Sequence, residues 1–264
     1  MKDTKKKVKN KEKTYFQIAI EHLKSKDYNK AIKFFNKSLK ITSNNWMVWS
    51  NLGATYQKLG NYKKGLECCK KAIEIDPKNN SVCYNLGLIN YRLENYEESI
   101  KWYKKALKLE PNDTSSLFNL GIVYKIKGNL EKAIENFEKV LNLSPNNLKA
   151  LKNLGLLYNQ FNAFNKAIEK FEKVIELDPG DYKSYFYLGT CYLNLDNDQK
   201  AQEYYEKALV INSQHIKSLF NLGVIQLNLG QHEKALESFE KVLKIKPGLK
   251  EAENYITKIK NFFK

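Results

Sequence analysis

Apolar residues follow two superimposed periods along the chain, one of three to four residues and one of 34 residues. The short period, apolar at i, i+3, i+4 and i+7, predicts amphipathic helices. Each period of 34 holds two such helical patterns, separated by a turn residue that is most often glycine. The long period is marked by a fixed glycine at Gly53, Gly87, Gly121, Gly155, Gly189 and Gly223. The chain is therefore predicted to be a series of helix pairs.

The register of this glycine defines the repeats when it is numbered as position 8. Seven repeats then extend from Glu12 to Leu249, with the bounds 12–45, 46–79, 80–113, 114–147, 148–181, 182–215 and 216–249. All five prolines fall at position 32, where they separate repeats because proline cannot continue a helix interior. Residues 250–264 carry one apolar stripe, which predicts a C-terminal capping helix. Residues 1–11 lack apolar periodicity, which predicts a disordered Lys-rich tail.

The spacing of small and bulky residues, which recurs from repeat to repeat, resembles that of a known family. Position 8 is small, position 20 is mostly alanine, and position 24 is usually an aromatic ring. The motif Trp49-x2-Leu52-Gly53-x2-Tyr56, and its counterpart that begins at Leu117, resemble the tetratricopeptide repeat. This resemblance implies an all-α fold, a right-handed α-solenoid (superhelix) of seven helix-turn-helix repeats plus the capping helix. It also implies that the first helix of each pair lines a concave groove.

Asparagine recurs at position 6 of the first helices, on the side opposite the apolar stripe. The residues are Asn51, Asn85, Asn119, Asn153 and Asn221. Asparagine is a poor helix former, whereas its amide can bind the N–H and the C=O of a peptide group together. The row resembles an asparagine ladder of another family member, and it also resembles the general repeat consensus. A peptide-binding role and a family habit reinforced by codon bias therefore both remain open.

Aromatic and basic residues accompany these asparagines on the same face. The rings at position 5 are Phe16, Tyr84, Phe118, Phe186 and Phe220. The lysines are Lys149, Lys183 and Lys217 at position 2 and Lys152 at position 5. Rings beside amides would accept the side chains and the backbone of a peptide at once, and a lysine row favours an acidic segment in the partner. Packing against neighbouring helices and ordinary surface lysines are the alternative explanations.

The carboxylate clamp of chaperone adaptors in the family is not reproduced by this sequence. In the last three repeats Lys152 and Lys217 match that clamp. Leu156, Tyr187 and Asn221 occupy the other clamp positions. A role in binding chaperone tails is therefore not predicted.

The net charge of +16 changes this interpretation little. Of 45 basic residues one, Arg92, is an arginine, which indicates codon bias more than selection for phosphate binding. The Lys-rich tail is interpreted as a solvated segment, with a nuclear import signal or a contact to nucleic acid or an acidic membrane as alternatives. No apolar run is long enough for a membrane span and no signal peptide is recognised. A cytoplasmic location is expected, or a nuclear one if the organism is eukaryotic.

Reactive chemistry is not indicated by the sequence. The four cysteines form no CxxC pair and no metal-ligand spacing with the three histidines. Ordinary core thiols are expected, with a redox or metal role for the adjacent Cys68 and Cys69 as the alternative. No cofactor and no enzymatic activity are predicted.

We expect a non-catalytic scaffold or adaptor that binds an extended peptide or a partner helix in the groove. The alternative is a nucleic-acid-associated basic repeat protein, whose binding would weaken steeply with salt.

Overall fold

The computed structural model describes the backbone of residues 2–263 and the side chains of residue 10 and residues 12–263. This part of the chain contains fifteen α-helices and no strand. The first helices of the pairs are α1 (Lys2–Lys24), α3 (Trp46–Lys58), α5 (Asn80–Arg92), α7 (Thr114–Ile126), α9 (Leu148–Gln160), α11 (Tyr182–Asn194) and α13 (Ile216–Asn228). The second helices are α2 (Tyr28–Ile41), α4 (Tyr62–Ile75), α6 (Tyr96–Leu109), α8 (Leu130–Leu143), α10 (Phe164–Leu177), α12 (Asp198–Ile211) and α14 (His232–Ile245). A last helix, α15 (Lys250–Phe262), follows α14.

Two compact bodies make up the chain, an N-terminal body of Met1–Lys139 and a C-terminal body of Val140–Lys264. In the N-terminal body each helix from α1 to α7 packs on the next, and α5 also contacts α3 and α7. In the C-terminal body the same holds from α9 to α15, and α9 also contacts α11. This stacking confirms the predicted all-α solenoid. The right-handed superhelix stays a prediction.

Short polar side chains at position 34 of the preceding repeat cap several of the first helices. The Asn45 side chain accepts a hydrogen bond from the Met47 backbone N–H, and the Asn79 and Asn147 side chains accept from backbone N–H groups at the starts of α5 and α9. Such caps satisfy backbone N–H groups that the first turn of a helix leaves without a partner. The side chains at the later boundaries, Asp181, His215 and Leu249, make no such cap hydrogen bond. The first helices nevertheless begin 34 residues apart from α3 onward, so the spacing does not depend on the cap alone.

The turn inside each pair needs one left-handed residue at position 15. Gly60 has φ 75° there, and Asn162 has φ 57°, as expected of residues that tolerate this conformation. Lys26 and Glu94 occupy the same turn with φ 62° and φ 60°, although longer side chains fit it less well. The cost is about 1 kcal/mol for each such residue. The repeat geometry therefore overrides the local preference at two of the turns.

The fixed glycine at position 8 is required by a close contact inside each pair. A Cβ atom added to Gly87 would lie 2.7 Å from the Tyr103 ring, and one added to Gly121 would lie 2.8 Å from the Phe137 ring. Both rings are at position 24 and are fully buried. The helices of a pair approach so closely that the ring of the second helix fills the space of a side chain on the first.

Both ends of the described chain are helical. Helix α15 buries Ala252, Ile256 and Ile259 and packs on α14, while Phe262 stays exposed. At the other end the sequence predicted disorder over 1–11, whereas α1 begins at Lys2 in the structure; Met1 lies outside the described residues. Lysine and glutamate are good helix formers, and no glycine or proline interrupts this segment, so the helix of the first repeat extends into it.

Candidate peptide-binding groove

One side of the first helices carries every residue that the sequence predicted for binding. We call the residues at positions 2, 5, 6 and 9 of these helices the groove face. Position 2 is exposed throughout, whereas the asparagines at position 6 are half-buried, and positions 3, 7 and 8 on the other side are mostly buried. Since α5 contacts both α3 and α7, the groove-face residues of these three helices adjoin in the N-terminal body. In the C-terminal body α9 contacts α11, so the groove-face residues of these two helices adjoin as well.

The aromatic rings at position 5 rest on core rings at position 24 of the same repeat. The ring centroids are 5.9 Å apart for Phe16–Phe35, 5.9 Å for Tyr84–Tyr103, 5.4 Å for Phe118–Phe137, 5.8 Å for Phe186–Tyr205 and 5.5 Å for Phe220–Phe239. All five position 5 rings are half-buried. They are therefore held from beneath by the core and present one side outward as a firm apolar surface.

Two groove-face asparagines form hydrogen bonds with their own helix. The Asn51 Nδ2 donates to the Met47 carbonyl and the Asn153 Nδ2 donates to the Lys149 carbonyl, each at 2.8 Å. Asn90 and Asn194, which are outside the groove face, make the same bond to the residue four positions earlier. This bond is therefore a recurring local interaction of helical asparagines in this chain, and it explains how the helix accommodates an asparagine.

Two other groove-face asparagines connect successive repeats through tyrosine hydroxyls. The Asn119 Nδ2 donates to the Tyr84 hydroxyl at 3.1 Å, and the Asn221 Nδ2 donates to the Tyr205 hydroxyl at 3.0 Å. The fifth, Asn85, is half-buried and its amide has no hydrogen-bond partner among the described residues. The row predicted from the sequence therefore consists of chemically different members.

The tyrosines beneath this face have opposite hydrogen-bond environments in the two bodies. The Tyr205 hydroxyl lies 3.1 Å from the Thr190 Oγ1, and Thr190 in turn donates to the Phe186 carbonyl. Tyr205 therefore donates to Thr190 while it accepts from the asparagine. The Tyr103 hydroxyl is buried with no partner among the described residues, because Asn119 bonds to Tyr84 instead. Burial raises the pKa of both hydroxyls.

The lysines of the C-terminal body divide into paired and unpaired members. Lys152 lies 3.1 Å from an Asp181 carboxylate oxygen and 3.8 Å from one of Asp178, so these acids offset its charge. The position 2 lysines are exposed and have no acidic partner among the described residues; they are Lys149, Lys183 and Lys217. The sequence predicted all four as groove cations, and the local pairing of Lys152 could not be read from repeat positions.

A histidine that the sequence analysis did not assign to the groove lies beside these lysines. His215 occupies position 34, and its ring centroid lies 5.0 Å from that of Phe186 and 5.1 Å from that of Tyr182. Its Nδ1 is 2.7 Å from the Ser218 hydroxyl, so it does not cap α13 as an asparagine would. Partial burial, followed by the charges of nearby lysines, lowers its pKa. The sequence signal that could have identified His215 was its place at position 34, where the preceding repeats have asparagine or aspartate.

The cysteines are buried parts of the helix packing. Cys68, Cys69, Cys83 and Cys191 are free thiols in the structure. Burial raises the pKa of Cys68 to about 11 and that of Cys69 to about 12. A thiol with so high a pKa is almost wholly protonated near neutral pH and is a poor nucleophile.

None of the described helices is both long and apolar enough to cross a membrane.

Solved structures share this helix stacking over most of the chain. The C-terminal part of a TPR repeat-containing protein from Cytophaga hutchinsonii has a TM-score of 0.80 and 21% identity, and the match covers 91% of this chain and 99% of that one. YrrB, described as a TPR protein with an unusual peptide-binding site, has a TM-score of 0.63 and 23% identity over 70% of this chain and 95% of its own. MamA has a TM-score of 0.59 and 28% identity over 63% and 97%.

Sequence comparisons point to the same group of proteins. No curated protein matches this chain. Two tetratricopeptide repeat family models match residues 12–45 and 46–79. The model of the tetratricopeptide repeat protein 21 N-terminal ARM repeat matches residues 89–264, which is more than half of the chain. The chain therefore belongs to the tetratricopeptide repeat family.

Proposed function

We propose that this protein is a non-catalytic scaffold or adaptor that holds an extended peptide segment of a partner protein on its groove face. The observation that carries the proposal is the combination of half-buried amides at position 6 with half-buried rings at position 5 in both bodies. Amides alone would suit many polar ligands, and rings alone would suit any apolar one. Their alternation matches a peptide, which offers backbone polar groups and side chains together.

The asparagine amides retain bonding capacity for such a peptide. An amide has two N–H donors and one oxygen acceptor. The bond from Asn51 to its own helix uses one N–H, which leaves the second N–H and the oxygen for a ligand. Asn85 has its whole amide available. Because a helix already pairs its backbone groups internally, an extended segment is a better match for these amides than a partner helix.

The fold and the charge distribution support the same class of partner. YrrB shares the fold, which can therefore contain a peptide-binding site, although at 23% identity the likeness is one of fold alone. The exposed lysines at position 2 of the C-terminal body favour a partner segment with acidic residues. Each neutral hydrogen bond contributes about 0.5 to 1.5 kcal/mol, and ordering a flexible peptide costs several kcal/mol. Binding of a short peptide is therefore expected to be in the micromolar range.

Affinity capture from the source cell tests this proposal. The wild-type protein is compared with a triple variant, Asn85→Ala, Asn119→Ala and Asn153→Ala. A matched control replaces the exposed asparagines Asn112, Asn142 and Asn146 by alanine. Nuclease treatment and washing at moderate salt remove partners held through nucleic acid or through charge alone.

We expect proteins captured by the wild type and by the control variant to be lost from the groove-face variant. Circular dichroism should show equal helix content in all three, because alanine is a better helix former than asparagine. Equal capture by all three proteins would mean that the partner binds another surface, which would contradict the proposal. A reduced helical signal in the groove-face variant would instead show that these asparagines stabilise the fold.

A further inference from the structure

A histidine packs against two aromatic rings beside two lysines in the C-terminal body. The His215 ring lies 5.1 Å from that of Tyr182 and 5.0 Å from that of Phe186. Lys183 directly follows Tyr182 at the start of α11, and Lys217 is two residues after His215 at the start of α13. We call these five residues the His215 cluster. Its lysines are exposed, and the histidine is half-buried against the rings. The cluster lies where α11 and α13 both begin, so successive repeats contribute to it.

The cluster has positive charge that the described chain does not neutralise. The groove residue Lys152 is neutralised by Asp178 and Asp181, whereas neither Lys183 nor Lys217 forms an ion pair with any residue that the structure describes. The charged groups that act on His215 are these two lysines, from α11 and α13, and both oppose its protonation. Tyr182 is the other titratable side chain in contact with its ring.

The orientation of His215 leaves a donor for a ligand. Its Nδ1 is occupied by the Ser218 hydroxyl at 2.7 Å. When the Ser218 hydroxyl donates to Nδ1, or when the ring is protonated, the Nε2 carries a hydrogen that it can donate to a partner. A carboxylate placed there would accept hydrogen bonds from the Nε2 and from lysine ammonium groups, and such charge-assisted bonds are stronger than neutral ones. The Phe186 and Tyr182 rings would shield the methylene groups of the same side chain from water.

We propose that the His215 cluster is a subsite that binds the carboxylate of an aspartate or glutamate side chain in an acidic peptide lying on the groove face. This inference rests on the proposed function and specifies the chemistry of one residue of the partner. No histidine occupies position 34 in the N-terminal body, where that position is asparagine or aspartate. Position 2 is Lys13 in the first repeat, and it is Met47, Ser81 and Ser115 in the next three.

Binding at this subsite should depend on pH through His215. In the free protein, burial and the two lysines lower the pKa of this ring. A carboxylate placed beside the ring raises its pKa, so the complex takes up a proton that the free protein does not hold. Affinity for an acidic peptide therefore increases as the pH falls from neutral towards about 5.5, where glutamate is still mostly ionised.

Fluorescence anisotropy of two labelled peptides tests the subsite. One is a short peptide with glutamate at alternate positions, so that its carboxylates share one side of the extended chain. The other has glutamine at the same positions. The full-length wild type is compared with Lys183→Gln/Lys217→Gln and with His215→Gln. A control, Lys63→Gln/Lys70→Gln, removes the same charge from exposed positions of α4 in the other body.

We expect the glutamate peptide to bind about tenfold more weakly to Lys183→Gln/Lys217→Gln than to the wild type, and the control pair to change affinity less than about twofold. Wild-type affinity should increase about fivefold between pH 7.5 and pH 5.5, and His215→Gln should remove this increase. Equal binding of the glutamine peptide, equal weakening by the control pair, or a pH dependence that survives in His215→Gln would each overturn the subsite. Failure to bind the glutamate peptide would do the same, whereas the capture experiment with the asparagine variant would still test the proposed function.

Discussion

The two buried tyrosines at position 24 allow a paired test of the hydrogen-bond network beneath the groove face. Tyr103 and Tyr205 are both fully buried, one in each body. The Tyr205 hydroxyl accepts from Asn221 and donates to Thr190, whereas the Tyr103 hydroxyl has no partner in the described chain. Replacing each by phenylalanine removes the same atom from two different environments. The two substitutions should therefore differ in their effect on the free energy of unfolding.

The magnitudes follow from those contacts. Tyr205→Phe removes two hydrogen bonds and leaves Thr190 with one acceptor site unused, so unfolding should become easier by about 1 to 3 kcal/mol. Tyr103→Phe removes a hydroxyl that is buried without compensation, a state that costs about 1 to 3 kcal/mol in proteins. This second change should leave stability unaltered or raise it by up to about that amount. The ring packing is retained in both variants.

Urea unfolding followed by far-ultraviolet circular dichroism gives the comparison. Stacked repeats need not unfold in one step, so the curves should be fitted with a nearest-neighbour repeat model and not with a single transition. Tyr62→Phe is a suitable control, because Tyr62 is a half-buried residue whose hydroxyl has no hydrogen-bond partner among the described residues. If Tyr103→Phe destabilises the protein as much as Tyr205→Phe, the argument that Tyr84 diverts Asn119 from Tyr103 is refuted.

Three further predictions concern packing, thiols and pH. Gly87→Ala should destabilise its repeat by about 1 to 3 kcal/mol, because the added Cβ would lie 2.7 Å from the buried Tyr103 ring. Gly60→Ala should cost about 1 kcal/mol, because Gly60 has φ 75° but open space around it. The midpoints of urea unfolding distinguish the two variants. The thiol of Cys69, with a pKa of about 12, should react with a disulfide reagent only after denaturant is added, and fast labelling of the native protein would argue against its burial. Because the pKa of His215 is lowered in the folded state, its contribution to stability is complete above about pH 6.5 and is lost as the pH falls. His215→Gln should therefore flatten the loss of stability between pH 7 and pH 5, and an unchanged pH profile by urea unfolding would contradict this assignment.

Much of the helix arrangement could be predicted from the sequence because one unit is repeated. The first helices from α3 onward begin at residues 46, 80, 114, 148, 182 and 216, in steps of 34. The glycine at position 8 has a packing reason that its recurrence already suggested. Where a residue departed from the consensus, prediction was weaker. Lys26 and Glu94 still adopt the left-handed turn, and the helix of the first repeat extends to Lys2.

The chemistry of the groove face was less predictable than its position. Side-chain pairing depends on distances of a few ångströms, which repeat numbering does not provide. Lys152 therefore counted as a groove cation although Asp181 neutralises it. Asn119 and Asn221 share a position in the repeat, yet they bond to tyrosines at different positions because one repeat has Tyr84 where another has Phe186. Such differences decide which residues can bind a partner.

Site-specific photo-crosslinking tests the central claim, that a partner peptide lies on the groove face, most directly. A benzophenone amino acid is placed at the exposed position 2 residues Ser81 and Ser115, and as a control at the exposed residues Lys63 and Lys70 of a second helix. Irradiation in the source cell should give the same crosslinked partner from Ser81 and Ser115 and none from α4. The crosslink should disappear when Asn85 and Asn119 are also replaced by alanine. Crosslinks that form equally from α4, or that persist without the asparagines, would contradict the account.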